Sequence, residues 1–524
     1  MNRTSRSAIL IVACAAMLSL APMGWAQQTP LGQPQGGIFN PSVLKGEGGC
    51  SLTSNCADVA PGMIQSALVE SPLEENLRQL TDHFGGRLTG SPAVHEAVEW
   101  VVEAFHQAGV DDVHVEKFTM PHGWSEGATR LEVLTPAQFS VRLVSTGWSP
   151  ATPPAGIMAP VVDVGAGDDA GFAKAGQSVK GSIVLVHSSI LETYEQLADE
   201  YVQDVAIVQR AQKSGAAAIF WMSSRPNRLL YRHTLSFEGN PEPLPQAILA
   251  REDAERIARF LAHSQVVRVH FYMPNRLTGP VESENVVAEI RGREKPDEFV
   301  LLGAHLDSWE LGTGALDNGC NAALAIDAAR VIHSSGVLPR RSIRFVLFTG
   351  EEQGMLGSAA YARAHQAEMD KMVAAIVFDS GNGRVTDYSI SGRKDIANAL
   401  REDLKPVQFL HPVNVTLDAE LGTDNFYFLL EGVPTLVADQ DPANYMLNYH
   451  AESDTFDKVD IVELKKNVAV AAITTYAIAD APERLGERQS RAEIEQLLND
   501  TGLVAQMKAM GFLPFWLDGT RGRQ

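Results

Sequence analysis

The sequence predicts an α/β protein built on a mostly parallel, doubly wound sheet with helices on both faces. The first observation behind this prediction is the alternation of strand-like and helix-like segments after about residue 280, which is typical of parallel strands joined by helical crossovers. The second is a run of short β-rich segments from 128 to 280, separated by Gly and Pro. This change of pattern predicts a β-rich α+β module inserted into the main domain.

Changes of composition and periodicity divide the chain into six predicted parts. They are a signal peptide (1–26), an extended leader (27–60), the first part of the main domain (61–127), the inserted module (128–280), the second part of the main domain (281–484) and a C-terminal helical extension (485–524).

The N-terminal segment has the pattern of a signal peptide. Arg3 and Arg6 precede an apolar run from 8 to 20, and small residues at 24 and 26 predict cleavage after Ala26. Acylation is the alternative, because the residues before Cys14 loosely fit a lipoprotein box, but the apolar run continues past Cys14. No later apolar stretch approaches the ~18 residues of a membrane span. We therefore expect an exported protein, periplasmic or secreted, without a transmembrane span.

Three cysteines remain after the predicted cleavage. Cys50 and Cys56 flank five residues in a Gly/Ser/Asn-rich stretch, and in an oxidising compartment they could form a small disulfide loop, with two free thiols as the alternative. Cys320 lies three residues after Asp317, where an apolar packing role is expected rather than a ligand.

The periodicity of apolar residues predicts the elements in chain order. In the first part of the main domain we predict helices over 72–80 and 93–108 and a strand over 113–118. In the inserted module we predict strands over 181–187 and 216–221 and a helix over 205–214.

The second part of the main domain carries the clearest alternation. We predict strands over 285–290, 298–304, 342–349, 372–378 and 435–438, and helices over 321–333, 358–367, 395–400 and 461–478. An amphipathic helix over 492–510 is expected to pack on the surface or on a partner.

The overall charge argues against one class of partner. The chain has 43 Lys+Arg against 64 Asp+Glu, a formal net charge of −21, and no basic cluster. Nucleic acid is therefore not an expected partner.

Residues of metal-ligand type follow three of the predicted strands. His305 follows 298–304, Glu351 and Glu352 follow 342–349, and Asp379 follows 372–378. In open α/β sheets, functional groups gather at the carboxyl ends of the strands. We therefore expect these side chains at one edge of the sheet.

Two further residues lie on loops that can reach the same edge. Asp317 precedes the predicted helix at 321, and His450 lies in the loop after the strand at 435. A single histidine or acid at a strand end is more often structural than a ligand, but five such residues at one edge favour a shared site. Nitrogen and oxygen ligands with one bridging carboxylate suit a pair of metal ions in a hydrolase.

The remaining residues of the predicted site act beside the ligands. Glu351 and Glu352 are adjacent, so their side chains diverge at a strand end, and one can bind metal while the other serves as general base. Asp307 lies two residues after His305, on the same side of an extended chain, and could orient that imidazole.

Four short strings carry a resemblance to a known family. They are His305-Leu306-Asp307-Ser308-Trp309, Gly314-Ala315-Leu316-Asp317-Asn318-Gly319, Thr349-Gly350-Glu351-Glu352-Gln353-Gly354 and Gly422-Thr423-Asp424. Together they resemble the co-catalytic zinc exopeptidases, which include bacterial aminopeptidases, and are most similar to the carboxypeptidase Q group. The resemblance covers about residues 60 to 480 and implies the zinc exopeptidase fold.

The resemblance also implies roles for the site residues. One zinc would be held by His305, Asp317 and Asp379, and the other by Asp317, Glu352 and His450. Asp317 would bridge the two zinc ions, and its peptide bond to Asn318 would be cis. The inserted module would be a protease-associated domain, and the chain would form a homodimer.

The function implied is hydrolysis of dipeptides or short peptides. A water acidified by the zinc pair would lose its proton to Glu351 and attack the carbonyl, and Glu351 would return the proton to the leaving amine. An aminopeptidase of the same family is the alternative. A non-catalytic receptor or binding protein on the same fold is more remote, because such relatives lose metal ligands and this sequence has all of them.

Overall fold

The computed structural model describes residues 56–419 and 421–524. The predicted signal peptide, Cys14 and Cys50 lie outside the described residues, so export, acylation and the disulfide stay predictions. The predicted end of the leader at residue 60 is wrong. Residues 56–60 already belong to a helix, because Cys56, Ala60 and Met63 lie on one face and pack into the core.

The strands form two large sheets and one two-stranded sheet. They are β1 (Asp112–Met120), β2 (Trp124–Ser125), β3 (Arg130–Thr135), β4 (Phe139–Val141), β5 (Leu143–Ser145), β6 (Ile157–Asp163), β7 (Ile183–Val186), β8 (Ala218–Met222), β9 (Gln246–Leu249), β10 (Arg268–Tyr272), β11 (Arg276–Leu277), β12 (Val281–Ile290), β13 (Lys295–His305), β14 (Arg341–Phe348), β15 (Met372–Phe378), β16 (Val385–Ser389), β17 (Asn414–Thr416) and β18 (Thr435–Gln440).

The α-helices connect and cover these strands. They are α1 (Cys56–Leu68), α2 (Leu73–Arg78), α3 (Pro92–Gln107), α4 (Asp169–Ala175), α5 (Tyr194–Lys213), α6 (Arg251–Ala262), α7 (Cys320–Ser334), α8 (Leu356–Ala364), α9 (Ala397–Asp403), α10 (Phe426–Leu430), α11 (Tyr445–Asn448), α12 (Ile461–Asp480), α13 (Arg491–Asp500), α14 (Leu503–Ala509) and α15 (Leu513–Leu517).

The first sheet has eight strands in the order β1-β12-β14-β13-β15-β18-β16-β17. Its central strands β14, β13, β15 and β18 are parallel to one another. Towards the edges, β1 and β12 pair antiparallel, as do β12 with β14 and β16 with β18. The predicted parallel arrangement therefore holds for the centre of the sheet, which is mixed as a whole.

Alternating side chains of the central strands pack against two different groups of helices. Val300, Leu302 and Ala304 of β13 join a core cluster with residues of α1, α3, α7 and α12. Phe299 and Leu301 of the same strand join another cluster with residues of α8, α10 and α13. Because successive side chains of a strand point to opposite faces, both faces of the sheet are covered.

The second sheet also has eight strands, in the order β4-β3-β10-β6-β7-β8-β9-β5. All of them lie between residues 130 and 272, within the segment predicted as an insertion. Strands β6, β7, β8 and β9 are parallel and are surrounded by their own apolar clusters. The exact limits of the predicted module stay a prediction.

Helix α5 is longer than the sequence predicted, because it begins at Tyr194 rather than near 205. Its first turns are polar, so apolar periodicity misses them. A capping box starts the helix: the Thr193 side chain accepts a hydrogen bond from the Gln196 amide, and the Gln196 side chain accepts one from the Thr193 amide.

The prediction of one continuous helix over 492–510 is wrong. Gly502 has a φ of 78° and separates α13 from α14, because this left-handed conformation ends a helix. The amphipathic character agrees with the prediction, since Ile494, Leu498 and Leu503 are buried in a core cluster of the first sheet while most other residues of α13 are exposed. Strands β16 and β17 were not predicted, because each is short and partly polar.

Two glycine substitutions are expected to change stability in opposite directions. Gly502→Ala should lower the free energy of unfolding by about 1 kcal/mol, because alanine is strained at a positive φ. Gly62→Ala should raise it by about 0.5–1 kcal/mol, since Gly62 lies exposed within α1 with open space around its Cα. Urea denaturation of both variants measures the difference, and equal shifts would contradict the assignment of Gly502.

Among the described residues, no helix is long and apolar enough to cross a lipid bilayer.

Candidate metal centre

The five predicted ligands come from different elements and meet at the carboxyl end of the central strands. His305 is the last residue of β13, and Asp379 directly follows β15, its parallel neighbour. Glu352 lies in the loop after β14, which pairs with β13 on the other side. Asp317 belongs to the kinked segment Ala315–Gly319, and His450 to the loop after α11. Parallel pairing explains why the first three converge.

Asp317 lies at the centre of the cluster, with one carboxylate oxygen towards each histidine. Its Oδ1 is 3.2 Å from Nε2 of His305, and its Oδ2 is 3.4 Å from Nε2 of His450. His305 Nε2 also lies 3.0 Å from Oδ1 of Asp379. His450 Nε2 lies 2.9 Å from Oε2 of Glu352. The set therefore has two halves that share Asp317.

Backbone carbonyls fix the orientation of both imidazoles. His305 Nδ1 lies 3.0 Å from the main-chain oxygen of Asp307, and His450 Nδ1 lies 3.0 Å from that of Arg232. When Nδ1–H donates to these carbonyls, the Nε2 lone pair of each ring faces the carboxylates, as metal binding requires.

The predicted role of Asp307 needs a correction. Its carboxylate oxygen is 3.6 Å from His305 Nδ1, beyond hydrogen-bond distance, and the backbone carbonyl takes that place. The carboxylate instead accepts from the Thr89 hydroxyl at 2.8 Å and from the amides of Glu351 at 3.3 Å and Glu352 at 3.4 Å. It therefore positions the backbone of the two glutamates rather than the imidazole.

The two adjacent glutamates point to different parts of the cluster. Glu352 contacts His450, whereas Glu351 has a carboxylate oxygen within 4.8 Å of ligand atoms of His305 and Asp379. Gly354 shapes this loop: its φ is 105°, and a Cβ there would lie 2.1 Å from the main-chain oxygen of Phe237. The loop therefore packs closely against the segment between β8 and β9.

The kinked segment that carries Asp317 is held by Asp454. The Asp454 carboxylate accepts hydrogen bonds from the amides of Leu316 at 2.7 Å and Asp317 at 3.1 Å. The peptide bond between Asp317 and Asn318 is cis, as the resemblance implied. The Asn318 side chain donates to the main-chain oxygen of Phe378, one residue before Asp379.

A buried arginine ties the surrounding loops together. The Arg87 guanidinium is fully buried, and its hydrogen bonds among the described residues go to the backbone carbonyls of Leu80, Gly85, Leu306, Thr313 and Gly314, at 2.7–3.0 Å. Burial lowers the pKa of Arg87 to about 10, which leaves it protonated at neutral pH. It therefore links the residue after His305 to the loop that leads into Asp317.

Two carboxylate oxygens of the cluster indicate that it fits cations. Oδ2 of Asp317 and Oε1 of Glu352 are buried and have no hydrogen-bond partner among the described residues. A buried carboxylate oxygen without a donor is costly unless a cation neutralises it. Two imidazoles and three carboxylates form the nitrogen and oxygen donor set that zinc accepts.

The buried groups of the cluster shift one another's pKa: burial opposes charge on His305, but the carboxylates of Asp379, Asp307 and Asp317 raise its pKa well above the ordinary value. Burial raises the pKa of Glu352 well above its ordinary value, and the Asp317 carboxylate adds to the rise. Burial lowers the pKa of His450 to about 4, which keeps the imidazole neutral, the form that binds metal. A cation between these groups would relieve the repulsion among the carboxylates.

Sequence reasoning missed Asp454, Arg232 and the role of Arg87. Asp454 lies four residues after His450, but an acid in a loop is an ordinary sequence feature. Arg232 acts through its main-chain oxygen, which any residue offers. Arg87 lies between the helices predicted over 72–80 and 93–108, and no sequence signal shows that this connection is buried.

Comparison with known proteins places the chain among peptidases. The family model described as Peptidase family M28 matches residues 285–475. Carboxypeptidase Q of Mus musculus is 31% identical over 439 residues, which cover 82% of this chain and 91% of that protein.

Two solved peptidase structures are similar to this chain. The Peptidase M28 precursor from Shewanella amazonensis SB2B superimposes with a TM-score of 0.74 at 29% identity, covering 83% of this chain and 98% of that one. BSAP, a zinc aminopeptidase from Bacillus subtilis, has a TM-score of 0.61 at 19% identity, over 79% of this chain and 98% of that one, which shows a shared fold.

Proposed function

Because the chain belongs to peptidase family M28, we propose that it is an exported, zinc-dependent exopeptidase that hydrolyses dipeptides or short peptides. The observation that carries the proposal is the position of Asp317, whose two carboxylate oxygens face two different histidines. A carboxylate in this position can bridge two metal ions.

The residues on each side of Asp317 define two ligand sets. His305, Asp317 and Asp379 would hold one zinc, and Asp317, Glu352 and His450 the other. When bound, the two ions supply Lewis acidity that polarises the peptide carbonyl and acidifies a water molecule.

Glu351 is the proton carrier in this proposal. Its carboxylate accepts a proton from the attacking water and returns it to the nitrogen of the leaving amine. Two observations support the role: the side chain reaches the His305 half of the cluster, and its backbone is held by the Asp307 carboxylate. Burial raises the pKa of Glu351 well above its ordinary value, and Asp379 adds to the rise, whereas a cation bound nearby would favour the ionised form that acts as a base.

Substrate polarity has two candidates. Carboxypeptidase Q of Mus musculus covers most of both chains, and this favours a carboxypeptidase Q-like dipeptidase or carboxypeptidase. The shared fold with BSAP, a zinc aminopeptidase, keeps an aminopeptidase as the second candidate.

The same proposal includes three further predictions. The inserted module is a protease-associated domain, the first sheet is doubly wound, and residues 1–26 direct export. The homodimer suggested by the resemblance also stays a prediction, tested by light scattering of the purified chain.

A dipeptide-library assay of the zinc-loaded chain tests the function. We expect free dipeptides to be hydrolysed, a chelator to abolish the activity, and added zinc to restore it. We also expect C-amidated dipeptides to resist cleavage, because a carboxypeptidase Q-like enzyme needs the free carboxylate.

N-acetylated dipeptides then separate a carboxypeptidase, which cleaves them, from a strict dipeptidase, which does not. Cleavage of C-amidated dipeptides as fast as free ones would favour the aminopeptidase. Hydrolysis that survives the chelator would overturn the metal-dependent proposal.

A further inference from the structure

A second cluster of ligand-type residues lies beside the first, with no residue in common. Glu200 and Asp204 are four residues apart on α5, so they share one face of the helix. His233 lies in the segment between β8 and β9. One ligand atom from each of the three residues lies within 4.8 Å of the other two.

His233 is the residue that indicates a ligand. Its side chain is buried, with 3% exposure, yet neither Nδ1 nor Nε2 has a hydrogen-bond partner among the described residues. The ring is held by aromatic neighbours, with the Tyr201 ring centroid 4.3 Å away. A buried imidazole with two unpartnered nitrogens is costly. A cation bound between the ring and the carboxylates of Glu200 and Asp204 would interact with the lone pair of one of these nitrogens.

The polar and charged neighbours of Glu200 and Asp204 determine whether a cation can bind at this cluster. The Tyr231 hydroxyl donates to Oε1 of Glu200 at 3.1 Å, and the Ser224 side chain is a further hydrogen-bond partner of this carboxylate. Arg225 is the positive charge that acts on Glu200, but its guanidinium donates to the Ser224 hydroxyl and to the main-chain oxygen of Tyr449. Burial raises the pKa of both Glu200 and Asp204, and a bound cation would favour the ionised form of these carboxyl groups.

We propose that Glu200, Asp204 and His233 form a third zinc site, separate from the ligand sets around Asp317. One imidazole and two carboxylates are a nitrogen and oxygen set that suits zinc, whereas calcium and magnesium take oxygen ligands. Ligand atoms that share a tetrahedral zinc lie about 3.4 Å apart, given zinc–ligand distances near 2.1 Å. The three ligand atoms lie within 4.8 Å of one another, so side-chain rotation would have to bring them to that spacing when the ion binds.

The position of this site gives it a structural role. His233 directly follows Arg232, whose main-chain oxygen accepts from Nδ1 of His450 and whose amide donates to the His450 main-chain oxygen. A zinc that fixes His233 to α5 therefore fixes the backbone that orients a ligand of the first cluster. The third zinc acts on His450 through the chain and does not touch the reacting atoms.

Metal counting on the full chain tests the proposal. The double variant E200Q/D204N keeps the shape of both side chains, and the glutamine amide of E200Q keeps an oxygen for the Tyr231 hydroxyl. After zinc loading and dialysis, mass spectrometry of metal content should find one zinc fewer per chain than in the unchanged protein. His233→Asn should lose the same single zinc, and circular dichroism should show that both variants are folded.

Matched variants separate this site from the first cluster. His187→Ala removes a histidine of the second sheet that pairs with Asp163 and should leave the zinc count unchanged. In a chain already carrying Asp317→Asn and Glu352→Gln, adding E200Q/D204N should still remove one zinc. Equal zinc counts with and without E200Q/D204N would overturn the third site, whatever number the first cluster holds.

Discussion

Replacing Glu351 by glutamine is expected to lower kcat for dipeptide hydrolysis by about 10²- to 10⁴-fold while the zinc content stays unchanged. Glutamine keeps the size of the side chain but cannot accept a proton from water. Glu351 lies within 4.8 Å of ligand atoms of His305 and Asp379 but is not a ligand in the proposed sets, so these sets remain complete in the variant. Steady-state kinetics and metal analysis on the same preparation measure both quantities.

The adjacent Glu352 provides the matched control. Its Oε2 lies 2.9 Å from Nε2 of His450 and its Oε1 has no hydrogen-bond partner among the described residues, so Glu352→Gln should lose zinc as well as activity. Normal turnover by Glu351→Gln would show that another group carries the proton.

Replacing Arg87 by methionine is expected to lower the free energy of unfolding by more than about 3 kcal/mol. Methionine fills part of the volume but leaves the carbonyls of Leu80, Leu306, Thr313 and their neighbours without a donor. Each buried acceptor that loses its partner costs about 1–3 kcal/mol. The loops that carry His305 and Asp317 should also loosen, so zinc affinity should fall with stability.

Arg78→Met is the control for this prediction. Arg78 is exposed and pairs only with Glu75, one turn away on α2, and such a surface pair contributes about 0–1 kcal/mol. Urea denaturation of the two variants with and without zinc compares them. A similar loss of stability in both would mean that the carbonyl contacts of Arg87 have little weight.

The central strands, and the convergence of the residues predicted as ligands, followed from local sequence patterns. The strand over 372–378 was predicted with its observed bounds, and β13 and β14 differ by a few residues at their ends. Parallel strands deliver their carboxyl ends to one edge, so the convergence of His305, Glu352 and Asp379 followed from order alone. The C-terminal helices were harder, because one glycine at a positive φ splits a continuous apolar period.

The sequence by itself predicted the α/β class, the five residues that meet at one edge of the first sheet and different roles for Glu351 and Glu352. Only the tertiary structure decided which atoms support them. The Arg232 carbonyl orients His450, Asp454 holds the Asp317 backbone, and Arg87 binds the surrounding loops. These contacts use main-chain groups and partners more than a hundred residues apart. Residue type and local periodicity carry no information about such contacts, because they depend on how the loops pack over the sheet.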